Sequence, residues 1–240
     1  MIVLFTDFGL GGPYLGQVQA VLHQQAPGIP VVNLFSDLPP FDIEAAACLL
    51  PACTGRLPPG TVCLGVVDPG VGGARPGCAV QADGRWYVGP DAGLFTLVAR
   101  RASVVAWYTL PAVPDAAPSF HGRDVFAPVA ARLARGAPID GERVPPGERI
   151  DPDWPDDLYR VVYIDRFGNA ITGVRAAMAE AAAVLEVNGR SLPKARTFSA
   201  VAEADAFWYT NSSGLVEIAV NRGRADAVLG LQVGTPLSLA

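Results

Sequence analysis

Short apolar, β-branched runs alternate with longer helix-patterned stretches through the first half of this chain. That alternation restricts the fold more than any other feature. The runs Ile2–Phe5, Val31–Phe35, Thr61–Val67, Cys78–Gln81, Trp86–Val88 and Val104–Tyr108 predict strands. Gly16–Gln25, Ile43–Ala52, Leu94–Arg101 and Val125–Arg135 predict helices. Strands alternating with helices fold as an α/β layer around a mostly parallel sheet. The turns TDFG (6–9), VDPGVG (67–72) and VGPDAG (88–93) each leave an apolar strand. In an open α/β sheet, ligands bind beyond the carboxyl ends of the strands, so these three turns share the rim where a ligand would sit.

Composition shifts after residue 137. The stretch GAPIDGERVPPGERIDPDWPDD (136–157) is rich in Pro, Asp and Gly and has no periodicity, so 138–157 reads as a linker between an α/β domain (1–137) and a second domain (158–240). Beyond it the helical pattern nearly vanishes. Short strands are separated by turns rich in Gly, Asn and Ser, and Asn188-Gly189 is a two-residue hairpin signal. The second domain is therefore expected to be a small, mostly antiparallel β-barrel or sandwich.

Charge and cysteine usage remove several function classes. The net charge is −5 with no basic run, which takes away the electrostatic basis for nucleic-acid or membrane-surface partners. No apolar stretch approaches the length that spans a bilayer, and MIVLFTDFG has no basic segment ahead of its apolar run, so a cytoplasmic location is expected. The four cysteines show no C-x-x-C spacing and there are only two histidines, so neither a Cys/His zinc site nor a disulfide framework is expected.

Several polar residues stand out against that background. Asp68 follows a strand that reads as central, and its loop carries Gly70, Gly72 and Gly73 before Arg75. Asp-Pro-Gly is ordinary turn chemistry, yet this loop has more glycines than a turn requires, and glycine suits close approach of a ligand to the backbone. Asp7 ends the first strand, where it is either a turn residue or an acceptor for a sugar diol. His121 precedes a helix, while His23 lies on an amphipathic helix as a surface residue, and Asp124 suits a first helical turn. There is no G-x-G-x-x-G fingerprint and no Gly-Lys-Ser/Thr, so phosphate cradling finds no support.

Five motifs in order, TDFG at 6–9, VDPGVG at 67–72 with Arg75, FHGRD at 120–124, IDRFGN at 164–169 and NSSGLVEIAVN at 211–221, resemble the S-adenosyl-L-methionine (SAM) hydroxide adenosyltransferases. These hydrolases are related to the SAM-dependent fluorinases and chlorinases. The resemblance runs from Thr6 to the C-terminus. It implies cleavage of SAM at the ribose 5′-carbon by water, giving adenosine and methionine. It further implies a homotrimer, with each active site between the N-terminal domain of one subunit and the C-terminal barrel of the next. The family's Asp-Arg-His triad carries onto Asp68, Arg75 and His121, which the halogenases lack as a set. By the same matching Asp7 would bind the ribose hydroxyls and Phe41 would lie against the methionine part. Asp165 and Ser212 would meet the amino and carboxylate groups of that part. Phe167, Asn169, Val220 and Arg222 would surround the adenine, the last two through main chain, with Glu217 in the same hairpin. One departure is visible: Asp91-Ala92 precedes Gly93 where relatives often have Asn before the Gly.

The implied chemistry needs a better nucleophile than bulk water but no general acid, because the leaving thioether is neutral. No metal or redox cofactor is called for. Two further readings remain at this point: a nucleoside or sugar hydrolase in which Asp7 and Asp68 serve the anomeric carbon, and a SAM- or adenosine-binding domain without turnover.

Overall fold

The computed structural model describes residues 1–240. The chain divides into two compact units, Met1–Trp154 and Pro155–Ala240. No helix is long and apolar enough to cross a membrane.

In the first unit the elements are β1 (Ile2–Thr6), α1 (Tyr14–Gln25), β2 (Val31–Phe35), α2 (Ile43–Thr54), β3 (Val62–Val66), β4 (Gly77–Ala82), β5 (Arg85–Pro90), α3 (Thr96–Arg101), β6 (Val105–Thr109), α4 (Ala127–Ala134) and β7 (Glu142–Val144). A π-helical turn, Gly122–Phe126, leads into α4. The strands form one sheet in the order β2-β1-β3-β5-β4-β6-β7. Strands β2, β1, β3 and β5 pair in parallel, whereas β4 is antiparallel to β5 and β6, and β7 to β6. The sheet is thus mixed, with β4 and β7 reversed against the common direction. The cause is local. Asp83 and Gly84 are the only residues between β4 and β5, both at positive φ (45° and 78°), the two-residue turn whose twist matches a hairpin.

Every residue of β1 and β3 is buried, as expected for central parallel strands covered on both faces. Ile2, Leu4, Val62 and Leu64 pack with Val18 and Leu22 of α1 and with Val129 and Leu133 of α4 in one core cluster. Alternation along the pleat turns Val3 and Phe5 to the opposite face.

Much of the stretch read as a linker is part of this unit. Glu142–Val144 pairs with β6, Val144 opposite Trp107 and Glu142 opposite Thr109. Further on, Arg149 lies 3.5 Å from Asp91, and Arg100 donates to the Trp154 carbonyl (2.6 Å). Proline and glycine limit helix here to a single 3-10 turn, Pro146–Glu148, but strand pairing and arginine contacts still hold the segment to the sheet.

The second unit contains β8 (Leu158–Ile164), β9 (Ala170–Arg175), β10 (Val184–Val187), β11 (Arg190–Pro193), β12 (Ala206–Thr210), β13 (Leu215–Val220), a short α5 (Ala225–Leu229) and β14 (Leu237–Leu239). Its pairings are antiparallel, in a four-stranded sheet (β12-β13-β9-β8) and a three-stranded sheet (β11-β10-β14). Single bridges, Arg160 to Pro236 and Lys194 to Trp208, link the outer strands. Asn188 and Gly189 take positive φ (46° and 71°) between β10 and β11, as the hairpin signal predicts. Val161, Leu185, Trp208 and Ile218 belong to a core of their own.

Candidate active site

Parallel pairing sets the rim of the first unit. Asp7, Asp68 and Asp91 follow β1, β3 and β5, which are adjacent and run the same way, so all three carboxylates leave the same edge of the sheet. Asp7 is partly buried, and desolvation raises its carboxyl pKa above the ordinary value. The Phe41 amide, which donates to Oδ2 (3.2 Å), acts against that shift, and the charge of Asp68 adds to it. Phe41 is held at φ 65° with its side chain exposed. Asp91 is also raised by burial, countered by Arg149 and Arg75.

Asp68, Arg75 and His121 are brought into direct contact. Arg75 Nε donates to Asp68 Oδ1 (2.8 Å) and Nη2 donates to Asp68 Oδ2, the bidentate fork that fixes a guanidinium against a carboxylate. Nη2 also lies 3.2 Å from His121 Nδ1, and Nη1 donates to the Pro76 carbonyl (3.1 Å). Arginine has donors only, so Nδ1 accepts and the ring proton of His121 is assigned to Nε2.

The loop before His121 is tied down by its neighbours. Asp124 accepts from the Ala117 amide (2.9 Å) and from Arg123, which lowers its carboxyl pKa, and Arg123 donates in turn to Gln17 on α1 (2.8 Å). Asp124 thus anchors the loop, a more specific task than favouring a helix terminus.

A cleft of about 120 Å³ collects Asp7, Phe41, Asp68 and His121, together with Val71 and Phe120. Arg75 and His121 also form a wall of a second cavity, about 440 Å³. The sequence reading missed an aromatic cluster beside the cleft, in which Phe120 packs against Phe8 (5.8 Å between centroids) and Tyr14 (5.3 Å). Phe8, between Asp7 and Gly9 of TDFG, was the available signal.

In the second unit Asp165, Phe167, Asn169, Ser212, Glu217, Val220 and Arg222 all line one open cavity of about 820 Å³. Asp165 shapes its own turn: Oδ1 accepts from the amides of Phe167 (2.8 Å) and Asn169 (2.9 Å), and Oδ2 from Asn169 Nδ2 (3.0 Å). Phe167 is left exposed at the turn's tip.

Glu217 is 5 % exposed and accepts from Tyr209 Oη (2.6 Å) and Asn211 Nδ2 (2.8 Å). Burial raises its carboxyl pKa. Asn211 Oδ1 in turn accepts from the amides of Ser213 (2.9 Å) and Leu215 (3.1 Å), so Glu217 steadies the turn that presents Ser212. The Val220 carbonyl accepts from Gly223 (3.1 Å), and exposed Arg222, at φ 56°, pairs with Glu203 (3.0 Å). Tyr209 and Phe198 line the same cavity and were not anticipated. The β12–β13 register puts Tyr209 opposite Glu217, a pairing available by counting outward from the Ser212-Ser213 turn.

Two family models match this chain: the SAM hydroxide adenosyltransferase N-terminal domain over residues 2–142 and the corresponding C-terminal domain over 159–238. A Thermus thermophilus protein named (R)-S-adenosyl-L-methionine hydrolase is 44% identical, covering 99% of this chain and 98% of that one. A fluorinase from Nocardia brasiliensis is more distant, 24% identical over 98% of this chain and 94% of its own. Among solved structures, an uncharacterized conserved protein from Thermotoga maritima superposes with a TM-score of 0.87 at 27% identity, each chain covered completely. With both family models matched in order over most of its length, the chain belongs to the SAM hydroxide adenosyltransferase family.

Proposed function

We propose that this protein hydrolyses S-adenosyl-L-methionine to adenosine and L-methionine. The observation that carries the reading is the contact of Asp68, Arg75 and His121 beside Asp7. A lone pair of water attacks the 5′-carbon while the carbon–sulfur electrons pass to sulfur, so methionine leaves as a neutral thioether. One proton is released for each SAM consumed. Asp68 accepts a hydrogen bond or proton from the attacking water and aims its lone pair. Arg75 and the His121 Nε2–H stabilise the hydroxide-like oxygen as charge develops on it. Holding nucleophile and carbon in line accounts for up to roughly 7–11 kcal/mol of such a barrier. Asp7 accepts from the ribose hydroxyls and Phe41 lies against the methionine chain. Asp165 and Ser212 meet the amino and carboxylate groups, with Phe167, Asn169, Val220 and Arg222 around the adenine. The step moves no electrons to an acceptor and its leaving group is already activated, so it calls for no metal or cofactor.

The relatives' name specifies the (R) configuration at sulfur, and we extend that preference to this chain. We read the protein as a homotrimer and the second unit as a small barrel. The single bridges at both seams between its two sheets support the barrel. The test is incubation with each sulfonium epimer of SAM in ¹⁸O-labelled water containing excess chloride. The expected products are methionine and adenosine labelled at the 5′-hydroxyl, formed faster from the (R) epimer. A 5′-chloro product, unlabelled adenosine or tight binding without turnover overturns the reading.

A further inference from the structure

We infer that Phe126 is a positioning residue for the proposed reaction, a single aromatic ring against which both Arg75 and His121 are held; the inference rests on the SAM-hydrolysis reading above. The hydrogen bonds of Arg75 to Asp68, His121 and the Pro76 carbonyl use N–H groups that lie in the guanidinium plane. They fix its edges and resist tilting only weakly. Its face is held differently. Arg75 Cζ lies 5.4 Å from the centroid of the Phe126 ring, inside the roughly 6 Å range in which a ring quadrupole attracts a cation. The same ring meets His121 edge to face, with centroids 6.3 Å apart and planes at 89°.

Local backbone geometry supplies this arrangement. In an α-helix, with 3.6 residues per turn, side chains five apart diverge. The chain between these two residues is instead a π-helical turn, closed by the Ala127 amide donating to the Gly122 carbonyl, five residues back. That wider turn brings residue 126 beneath residue 121, and such turns often mark functional sites. Space for the ring is left at Gly77, where a Cβ would lie 2.8 Å from it.

The far side of the Arg75–His121 wall is a cavity of about 440 Å³, with Leu110, Ala116, Pro118 and Val125 among its lining and Phe126 itself forming part of it. No other charged side chain lines that cavity to hold the guanidinium from behind. The fully buried ring is the buttress on that side. It sets the tilt of Arg75, hence the pose of His121 and the direction of its Nε2–H.

The experiment replaces Phe126 in the full chain with mono-, tri- and pentafluorophenylalanine, which withdraw charge from the ring face while largely keeping its shape. We expect kcat to fall stepwise, by about 2- to 30-fold at the pentafluoro ring, the rate equivalent of a contact of roughly 0.5–2 kcal/mol. KM is expected to stay near that of the unmodified protein, and Tm to fall by no more than a few degrees, as the loss of one such contact implies. Phe126→Leu is expected to release His121 from its single tautomer, read in the imidazole ¹⁵N shifts without any turnover. A flat kcat across the fluorinated series, or unchanged ¹⁵N shifts in Phe126→Leu, overturns the inference. Should Phe126→Leu fail to fold, the fluorinated series decides alone. If the unmodified protein does not cleave SAM, the functional reading fails by itself, and the ¹⁵N measurement still tests the tie between ring and imidazole.

Discussion

Asp68 shows how much one side chain is asked to do at this rim. Both its oxygens accept from Arg75, and each keeps a second lone pair for the water that the proposed reaction would bring there. Asp68→Asn preserves the shape but loses one arm of the fork and the acceptor charge. Turnover is expected to drop by about 10²–10⁴, the usual range for general-base assistance, in steady-state assays with SAM. Asp7 behaves differently because burial opposes its charge. Its folded pKa lies above the reference 3.8, so as pH falls it protonates before an ordinary carboxylate would. Between the unfolded and folded values the native chain binds more protons than the unfolded one, and stability from this group rises as pH falls. Two outcomes follow at neutral pH for Asp7→Asn: a higher Tm, and a KM for SAM raised about tenfold or more through loss of charge-assisted hydrogen bonds worth roughly 1.5–3 kcal/mol each. An unchanged KM with collapsed turnover would show that Asp7 does not bind the ribose.

At the scale of elements, the hairpin between β4 and β5 is what reverses β4 inside the sheet. Asp83-Gly84 announces a two-residue turn as plainly as Asn188-Gly189 does, and both pairs take positive φ. Gly84→Ala puts a Cβ at φ 78° and is expected to cost about 1–2 kcal/mol in urea unfolding. The turn lies at the amino end of β5, opposite the rim that carries Asp91, so kcat/KM is expected to survive. The segment through Trp154 shows the converse. Its Pro-rich composition argues against an α-helix, and says nothing about Arg149 finding Asp91 or Glu142–Val144 finding β6. Those partners lie some 60 and 35 residues back along the chain, beyond the reach of any local pattern.

For the whole molecule, the two sets of residues proposed to bind substrate lie on different units. Asp7, Phe41, Asp68 and His121 line a cleft of the first, and Asp165, Phe167, Asn169 and Ser212 line the cavity of the second. Each unit also leaves an aromatic side chain exposed beside these residues, Phe41 at 73% and Phe167 at 74%, apolar surface that a bound ligand would cover. Sedimentation or light scattering is expected to give a homotrimer, with activity falling on dilution below its dissociation constant. A fully active monomer would count against the family's oligomeric state holding here.

The sequence by itself determined the two kinds of architecture, the hairpin at Asn188-Gly189 and the order of the reactive loops. Periodicity and turn chemistry act over a few residues and are written directly into the chain. The residues alone left Asp68 and His121 open to ordinary turn and helix-terminus readings, and they were grouped with Arg75 only through the resemblance of five ordered motifs to a known family. What only tertiary structure decided is how those groups meet: the fork between Asp68 and Arg75, the Nδ1 contact that assigns the His121 tautomer, the turn that Glu217 steadies, and the Phe126 ring behind the guanidinium. Each depends on side chains brought together by sheet pairing or helix packing, and their angles and burial are set by neighbours distant in sequence.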